Sequence, residues 1–128
     1  MDHSEWDLLN FQIVKKRLQA FRDAFRGWLF FFHEPHAIIH LIAACVVVGL
    51  AYWLEVTKTD WMILLLCIGV VLVTEMLNSA LERLADALHP DHHPLVGKSK
   101  DIAAGAVLVV AVIAAVIGGM IFWPYLAA

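Results

Sequence analysis

The sequence predicts an all-α integral membrane protein, with three transmembrane helices and an N-terminal amphipathic helix on the membrane surface. Of its 128 residues, 62% are hydrophobic and 16% are charged, and the mean hydropathy is +0.77. Soluble globular domains are about 45–50% apolar and about 25% charged, and a chain this short cannot bury so much apolar surface in one core. The composition therefore excludes a soluble globular protein and a disordered chain. The net charge of −3 gives no support for nucleic-acid binding.

Three apolar runs predict the spans of a single membrane domain over residues 1–128. At about 1.5 Å per residue the runs reach roughly 27, 31 and 33 Å, close to the ~30 Å hydrocarbon core of a bilayer. They occupy residues 37–54, 61–81 and 102–123, within helices predicted at residues 35–55, 61–87 and 100–124. Tryptophan and tyrosine stand at the ends of these runs, as is typical of the membrane interface, and Pro124 predicts a helix stop.

The segment before the first span predicts a surface helix over about residues 5–33. Its apolar side chains recur at intervals of three and four, which places them on one helical face; they are Phe11, Val14, Leu18, Phe21, Phe25 and Leu29. Basic residues, among them Arg17 and Arg22, fall mostly elsewhere around the helix. A basic amphipathic helix beside transmembrane segments is typical of one that lies in the membrane surface. The alternative is a helix that packs on the bundle.

The distribution of Lys and Arg predicts the orientation, because cytoplasmic segments carry an excess of both. Of the nine such residues, only Lys58 lies in the turn between the first and second spans. The others precede the first span or lie in the 82–101 connection. We therefore expect the N-terminus and this connection to face the cytoplasm, where ATP is available.

Four polar residues form a stripe on the second span and its cytoplasmic extension. Glu75, Asn78, Glu82 and Asp86 follow at intervals of three, four and four, which puts them on one helix face. A carboxylate in a membrane helix is costly and marks a functional site by default. The alternative is that Glu75 makes structural hydrogen bonds in a packed bundle.

Glu34 stands at the same interface, where the surface helix meets the first span. Glu34 and Glu82 predict a Mg²⁺ site, because Mg²⁺ usually takes one or two carboxylates together with phosphate oxygens. The alternative is a pair of ordinary interfacial charges.

The connection before the third span contains Gly97-Lys98-Ser99, which imitates the end of a phosphate-binding P-loop. That motif requires glycine at position 92, where this chain has His92, and a preceding strand, so we exclude a P-loop. Lys98 and Lys100 remain candidate phosphate contacts in this loop. Asp101 is a candidate helix N-cap or hydrogen-bonding partner. Solvated loop charges are the alternative.

Histidine is a common ligand of transition metals, and the sequence contains two histidine clusters. They are His33, His36 and His40 at the start of the first span, and His89, His92 and His93 in the connection. Neither cluster has the spacing of an established zinc motif, and no cysteine stands nearby. We expect His40 to be hydrogen-bonded inside the bundle, with a metal-binding protein as the alternative.

The run Glu75-Met76-Leu77-Asn78-Ser79-Ala80-Leu81-Glu82, followed by Asp86 and by residues 100–107, resembles the signature of the prokaryotic diacylglycerol kinase family. The similarity covers about residues 15–123 and includes Glu34 with His40 in the first span. The resemblance implies a small trimeric membrane kinase with three spans and a surface helix. Its site would lie between neighbouring subunits.

The resemblance also implies roles for individual residues. Glu75 matches the catalytic base, with Asn78 beside it, and Glu34 and Glu82 match the carboxylates that hold Mg²⁺ with ATP. The residues that would contact the nucleotide are Lys100, Asp101, Asp91 in the connecting loop and, as weaker matches, Arg17 and Arg22. The chain departs from the family pattern at Pro35-His36 and at His92-His93.

These observations predict an enzyme that phosphorylates a membrane lipid alcohol with ATP and Mg²⁺ at the cytoplasmic interface of the bacterial inner membrane. Of the two substrate branches of the family, the 100–107 stretch and the His40 position look more like the undecaprenol kinases, and diacylglycerol, giving phosphatidic acid, is the alternative. A non-enzymatic membrane scaffold or metal-binding protein is the remaining alternative. Three spans are too few to surround a polar stripe and a lipid tail, so we expect a homo-oligomer, by resemblance a homotrimer.

Overall fold

The structure, a computed structural model, describes residues 3–91 and 93–127. It contains four helices: α1 (His3–Phe31), α2 (Pro35–Trp53), α3 (Lys58–Leu88) and α4 (Pro94–Leu126). Over the described residues there is no strand, and α2, α3 and α4 are each long and apolar enough to cross a membrane. The predicted all-α membrane class is therefore confirmed. His92, which enters both the P-loop comparison and the second histidine cluster, lies outside the described residues.

The chain divides into two compact units, Met1–Glu34 and Pro35–Ala128. In the first unit, the apolar face of α1 is at least half exposed, with Phe21 at 78%. At the end of α1, the His33 side chain satisfies a helix carbonyl: its Nδ1 donates to the Leu29 carbonyl at 2.6 Å. The position of α1 on the membrane surface and the single-domain organisation stay predictions.

In the second unit, a sharp turn joins α2 to α3. Glu55 adopts a left-handed backbone conformation (φ 51°), which a helix cannot continue, so α2 ends at Trp53 rather than at the predicted residue 55. Thr57 then caps α3: its side chain accepts from the Asp60 backbone N–H, and the Asp60 side chain accepts from the Thr57 N–H. This reciprocal capping box starts α3 at Lys58, three residues before the predicted start at 61.

The third span differs from the prediction at both ends. Pro94 occupies the first turn of α4 and His93 its N-cap; proline is favoured there because the first helical N–H groups have no partner within the helix. The 96–101 segment is therefore helical and not a loop, and Asp101 lies inside the helix and is not its N-cap. At the other end, α4 passes through Pro124 to Leu126, and Ala127 N–H still donates to the Trp123 carbonyl at 3.0 Å.

The apolar core of the second unit lies beside the α2–α3 turn. It consists of Ala51, Val56, Leu64 and Phe122. Next to it, the Tyr125 hydroxyl donates to Asp60 Oδ2 at 2.7 Å and accepts from the Thr57 N–H at 3.1 Å, which ties the end of α4 to the start of α3. The outer faces of the three helices remain strongly apolar and exposed, as a lipid environment requires.

Candidate active site

At the other end of the second unit, α2, α3 and α4 enclose a polar cleft of about 320 Å³. The polar residues of its lining are His36 and His40 from α2 and Glu75, Asn78 and Glu82 from α3. Residues three and four apart on a helix share one face, so the spacing of the α3 stripe places these three side chains together. Opposite them, α4 contributes only small or apolar residues, including Ala104 and Ala111. A ligand in this cleft therefore meets polar groups on one side and a smooth apolar wall on the other.

Glu75 is the most deeply buried polar group in the cleft, with 3% of its surface exposed. Its Oε2 atom lies 3.9 Å from His40 Nε2, which is ion-pair distance and longer than a hydrogen bond. The hydrogen bond expected for His40 stays a prediction. A buried carboxyl group beside an imidazole, in the wall of a cleft, can accept a proton from a ligand.

Asn78 lies one helical turn from Glu75 and is 9% exposed. A carboxylate can only accept hydrogen bonds when ionised, so the Asn78 amide nitrogen faces Glu82 and donates to its Oε1 at 3.2 Å. The Asn78 Oδ1 atom is then left buried with no hydrogen-bond partner among the described residues. An unmade hydrogen bond at a buried group costs about 1–3 kcal/mol. Asn78 Oδ1 is therefore an unsatisfied acceptor in the wall of the cleft.

A second cavity of about 390 Å³ lies where α3 ends and α4 begins. Lys100 Nζ donates to Asp86 Oδ1 at 2.8 Å across this junction. Asp91 and Asp101 line the same cavity. This cavity is therefore a polar site that is open to water. One lysine and three carboxylates line it, in contrast to the buried cleft around Glu75.

The predicted site residues thus fall into three groups. Glu75, Asn78 and Glu82 share the cleft, and Asp91, Lys100 and Asp101 share the second cavity. Glu34, Arg17 and Arg22 belong to the first unit. Arg22 is exposed, with its Nε 4.0 Å from Asp23 Oδ1, and Glu34 is partly buried. The roles of these three residues stay predictions.

The sequence placed His36, His40 and Asp86 in a cluster or stripe but predicted no catalytic or ligand-binding role for them. His36 lines the cleft with His40, and their i, i+4 spacing was the signal for a shared face. Asp86 was placed on the α3 stripe, but its ion pair with Lys100 joins residues 14 positions apart, which spacing on one helix cannot show.

The oxygen donors of the cleft fit Mg²⁺ better than a transition metal. Among the described residues, no group of three or more His, Cys, Asp or Glu side chains is arranged to hold a metal by itself. Mg²⁺ does not need such a cage, since it binds through one or two carboxylates, substrate phosphates and water. The Glu82 carboxylate, beside the unpartnered amide oxygen of Asn78, is a donor of the right kind.

Residues 22–122, most of the chain, match the profile of the family described as prokaryotic diacylglycerol kinase. The chain belongs to this family. It is 41% identical over 114 residues to the undecaprenol kinase of Bacillus subtilis, which covers 88% of this chain and 93% of that protein. It is 29% identical over 111 residues to the diacylglycerol kinase of Haemophilus influenzae, covering 86% and 89% of the two chains. To the diacylglycerol kinase of Escherichia coli K12 it is 30% identical over 84 residues, covering 66% and 69%.

Membership of the prokaryotic diacylglycerol kinase family confirms the resemblance drawn from the α3 stripe and residues 100–107. It also confirms the predicted enzyme class, a membrane-bound lipid kinase. The polar cleft, set within spans that are otherwise apolar, is the feature of this fold that suits such a reaction.

Proposed function

We propose that the protein is an undecaprenol kinase, which transfers the γ-phosphoryl group of ATP to the lipid hydroxyl with the help of Mg²⁺. The observation that carries this proposal is the buried pair Glu75 and Asn78, which offers a proton acceptor and a hydrogen-bond acceptor inside membrane spans. The choice of undecaprenol is supported by the 41% identity to a protein of that name, against 29% and 30% to two diacylglycerol kinases.

In this proposal Glu75 is the general base. The lipid hydroxyl donates its hydrogen bond to the Glu75 carboxylate, because a general base must lie within hydrogen-bond reach of the proton it takes. The hydroxyl oxygen then attacks the γ-phosphorus, its proton passes to the Glu75 carboxylate, and the bond from the γ-phosphorus to the bridging oxygen of ADP breaks. Phosphoryl transfer needs mainly positioning, charge neutralisation and a group that receives the hydroxyl proton. Asn78, one turn from Glu75 on the same helix face, donates to Glu82 and so positions that carboxylate.

The nucleotide would lie nearer the end of α3 than the lipid hydroxyl does. Glu82 is seven residues beyond Glu75, a rise of about 10 Å, and with Glu34 it would hold Mg²⁺, which neutralises charge on the phosphates when bound. Lys100 would contact a phosphate from the second cavity, with Asp91 and Asp101 as further nucleotide contacts. Arg17 and Arg22 on α1 are candidates for the same role.

The cytoplasmic side of the inner membrane is the proposed location of this reaction. Of the four Lys and Arg residues of the second unit, only Lys58 lies at the α2–α3 turn, and Arg83, Lys98 and Lys100 lie towards the end that carries Glu82, as expected for a cytoplasmic surface. We further propose a homotrimer. The small residues Ala103 to Ala106 of α4 allow a second helix to approach closely, and the cleft within one chain has too few walls to enclose a nucleotide and a lipid.

The reaction itself is tested with purified protein in mixed micelles that contain undecaprenol as the only lipid alcohol. With ATP labelled at the γ-phosphate and Mg²⁺ present, label is expected to move to the lipid, and chelation of Mg²⁺ by EDTA is expected to stop the transfer. Absence of labelled lipid under conditions where the protein remains folded and oligomeric would contradict the proposal.

A diacylglycerol kinase is the second candidate. Two relatives with that name match this chain over most of their own length. Diacylglycerol also presents a hydroxyl at the membrane interface. The two candidates share the catalytic chemistry and differ only in the lipid that reaches Glu75.

A further inference from the structure

An apolar groove of about 210 Å³ lies between α2, α3 and α4 next to the polar cleft. The two spaces share His40 and Ala111 in their linings, so the groove adjoins the cleft. From there the groove follows α3 from Val71 back to Leu64, towards the α2–α3 turn. Seven residues of helix correspond to about 10 Å, and the groove therefore runs along the bundle for that length.

The lining of the groove is mostly apolar. Beyond the shared residues its walls are four alanines, Ala43 and Ala44 on α2 and Ala114 and Ala115 on α4, together with Cys67 and four larger aliphatic side chains. An apolar cavity of about 150 Å³ accommodates one benzene molecule. A groove of about 210 Å³ therefore has room for a segment of one hydrocarbon chain.

The polar cleft beside the groove indicates what kind of molecule fits both spaces. Glu75 and His40 line the cleft, and His40 also lines the groove. A ligand that suits both Glu75 and the groove has a hydroxyl at one end and an apolar tail.

We propose that the groove binds the hydroxyl-proximal isoprene units of a single-chain polyprenyl alcohol and selects it over a two-chain glycerolipid. This inference rests on the proposed function and extends it to the basis of substrate choice. A diacylglycerol carries two acyl chains on adjacent carbons, so one of them must leave the groove when the other enters it. Undecaprenol has one chain, so no second chain has to lie outside the groove.

The test fills the groove with a larger side chain far from the reacting atoms. Cys67 lies eight residues before Glu75, about 12 Å along α3, and Cys67→Phe places a ring across the groove. Cys45→Phe is the matched control, because Cys45 is exposed on α2 and does not line the groove. Ala114→Leu narrows the same space from α4 and serves as an independent second variant.

The kinetic readout compares undecaprenol, dioleoylglycerol and geraniol, whose short chain ends before the level of Cys67. Cys67→Phe and Ala114→Leu are expected to raise the KM for undecaprenol about tenfold, equivalent to about 1.4 kcal/mol. The KM values for geraniol and dioleoylglycerol are expected to stay within about twofold, a difference below about 0.5 kcal/mol. Cys45→Phe is expected to behave as the unmodified protein. Retained turnover of geraniol shows that a groove variant is folded.

A second readout does not depend on turnover. Undecaprenol with a photoreactive diazirine on the first isoprene units beyond the length of geraniol is expected to crosslink to groove residues of the unmodified protein and of Cys45→Phe, and to lose this crosslink in Cys67→Phe. Equal changes in KM for undecaprenol and dioleoylglycerol, or an unchanged crosslink, overturn the inference. Loss of the oligomer in Cys67→Phe, together with an unchanged crosslink, would show that a helix of a second copy occupies the groove in place of the lipid. If the unmodified protein phosphorylates no lipid but still crosslinks in the groove, the proposed function fails and the binding site stands.

Discussion

Replacing Glu75 by glutamine separates catalysis from nucleotide binding. Glutamine has the same shape as glutamate but cannot accept the hydroxyl proton. Glu75 is 3% exposed, so bulk water has little access to act in its place. Loss of a general base typically lowers the rate by about a hundredfold to ten-thousandfold, which corresponds to about 3–5 kcal/mol in the activation free energy. We expect a fall in kcat of this size in Glu75→Gln.

The same variant is expected to keep its affinity for ATP, because the nucleotide side of the site begins about two helical turns away at Glu82. Glu82→Gln is expected to show the opposite pattern, with weakened Mg²⁺-dependent ATP binding. Thr74→Ala is the matched control: Thr74 precedes Glu75, but its hydroxyl donates to the Val70 carbonyl at 2.8 Å and does not line the cleft. Calorimetric ATP affinity and the lipid phosphorylation rate are measured for all three. Loss of ATP binding in Glu75→Gln, with binding retained in Glu82→Gln, would show that the two roles are reversed.

Three further predictions concern Lys100, Tyr125 and Glu34. Lys100→Met is expected to raise the KM for ATP with little change in thermal stability, because an exposed ion pair adds little to stability; a large stability loss with unchanged KM would make the lysine purely structural. Tyr125→Phe removes the hydroxyl that links two helix ends and is expected to lower the unfolding temperature, measured in detergent, whereas Tyr52→Phe on an exposed tyrosine is not. Mixing subunits that carry Glu34→Gln with subunits that carry Glu75→Gln is expected to restore activity in part; no recovery at any ratio argues against sites shared between subunits.

The sequence predicted the parts of the fold that depend on helix length and periodicity. Three apolar runs fixed the number of spans, because a span needs enough consecutive apolar residues to cross the bilayer. The spacing of Glu75, Asn78 and Glu82 likewise predicted a shared face, and the structure brings these residues into one cleft. The ends of α4 were less predictable. The polar residues 96–101 suggested a loop, yet Pro94 starts a helix that contains them.

Contacts between helices could not be predicted in this way. The ion pair of Lys100 with Asp86 and the approach of His40 to Glu75 depend on how helices pack, which periodicity along one helix does not specify. The hydrogen bond expected for His40 stays a prediction. The unpartnered oxygen of Asn78 is also a consequence of packing, because it arises only when the amide nitrogen is committed to Glu82.

The central claim, phosphorylation of a single-chain polyprenyl alcohol at Glu75, is tested most directly by competition. Undecaprenol and dioleoylglycerol are supplied at equal concentration in the same micelles, with ATP and Mg²⁺, and both phosphorylated products are quantified by mass spectrometry at early times. The unmodified protein is expected to form mostly undecaprenyl phosphate, and Glu75→Gln to form neither product at a comparable rate. A predominance of phosphatidic acid, or undiminished product from Glu75→Gln, would contradict the account.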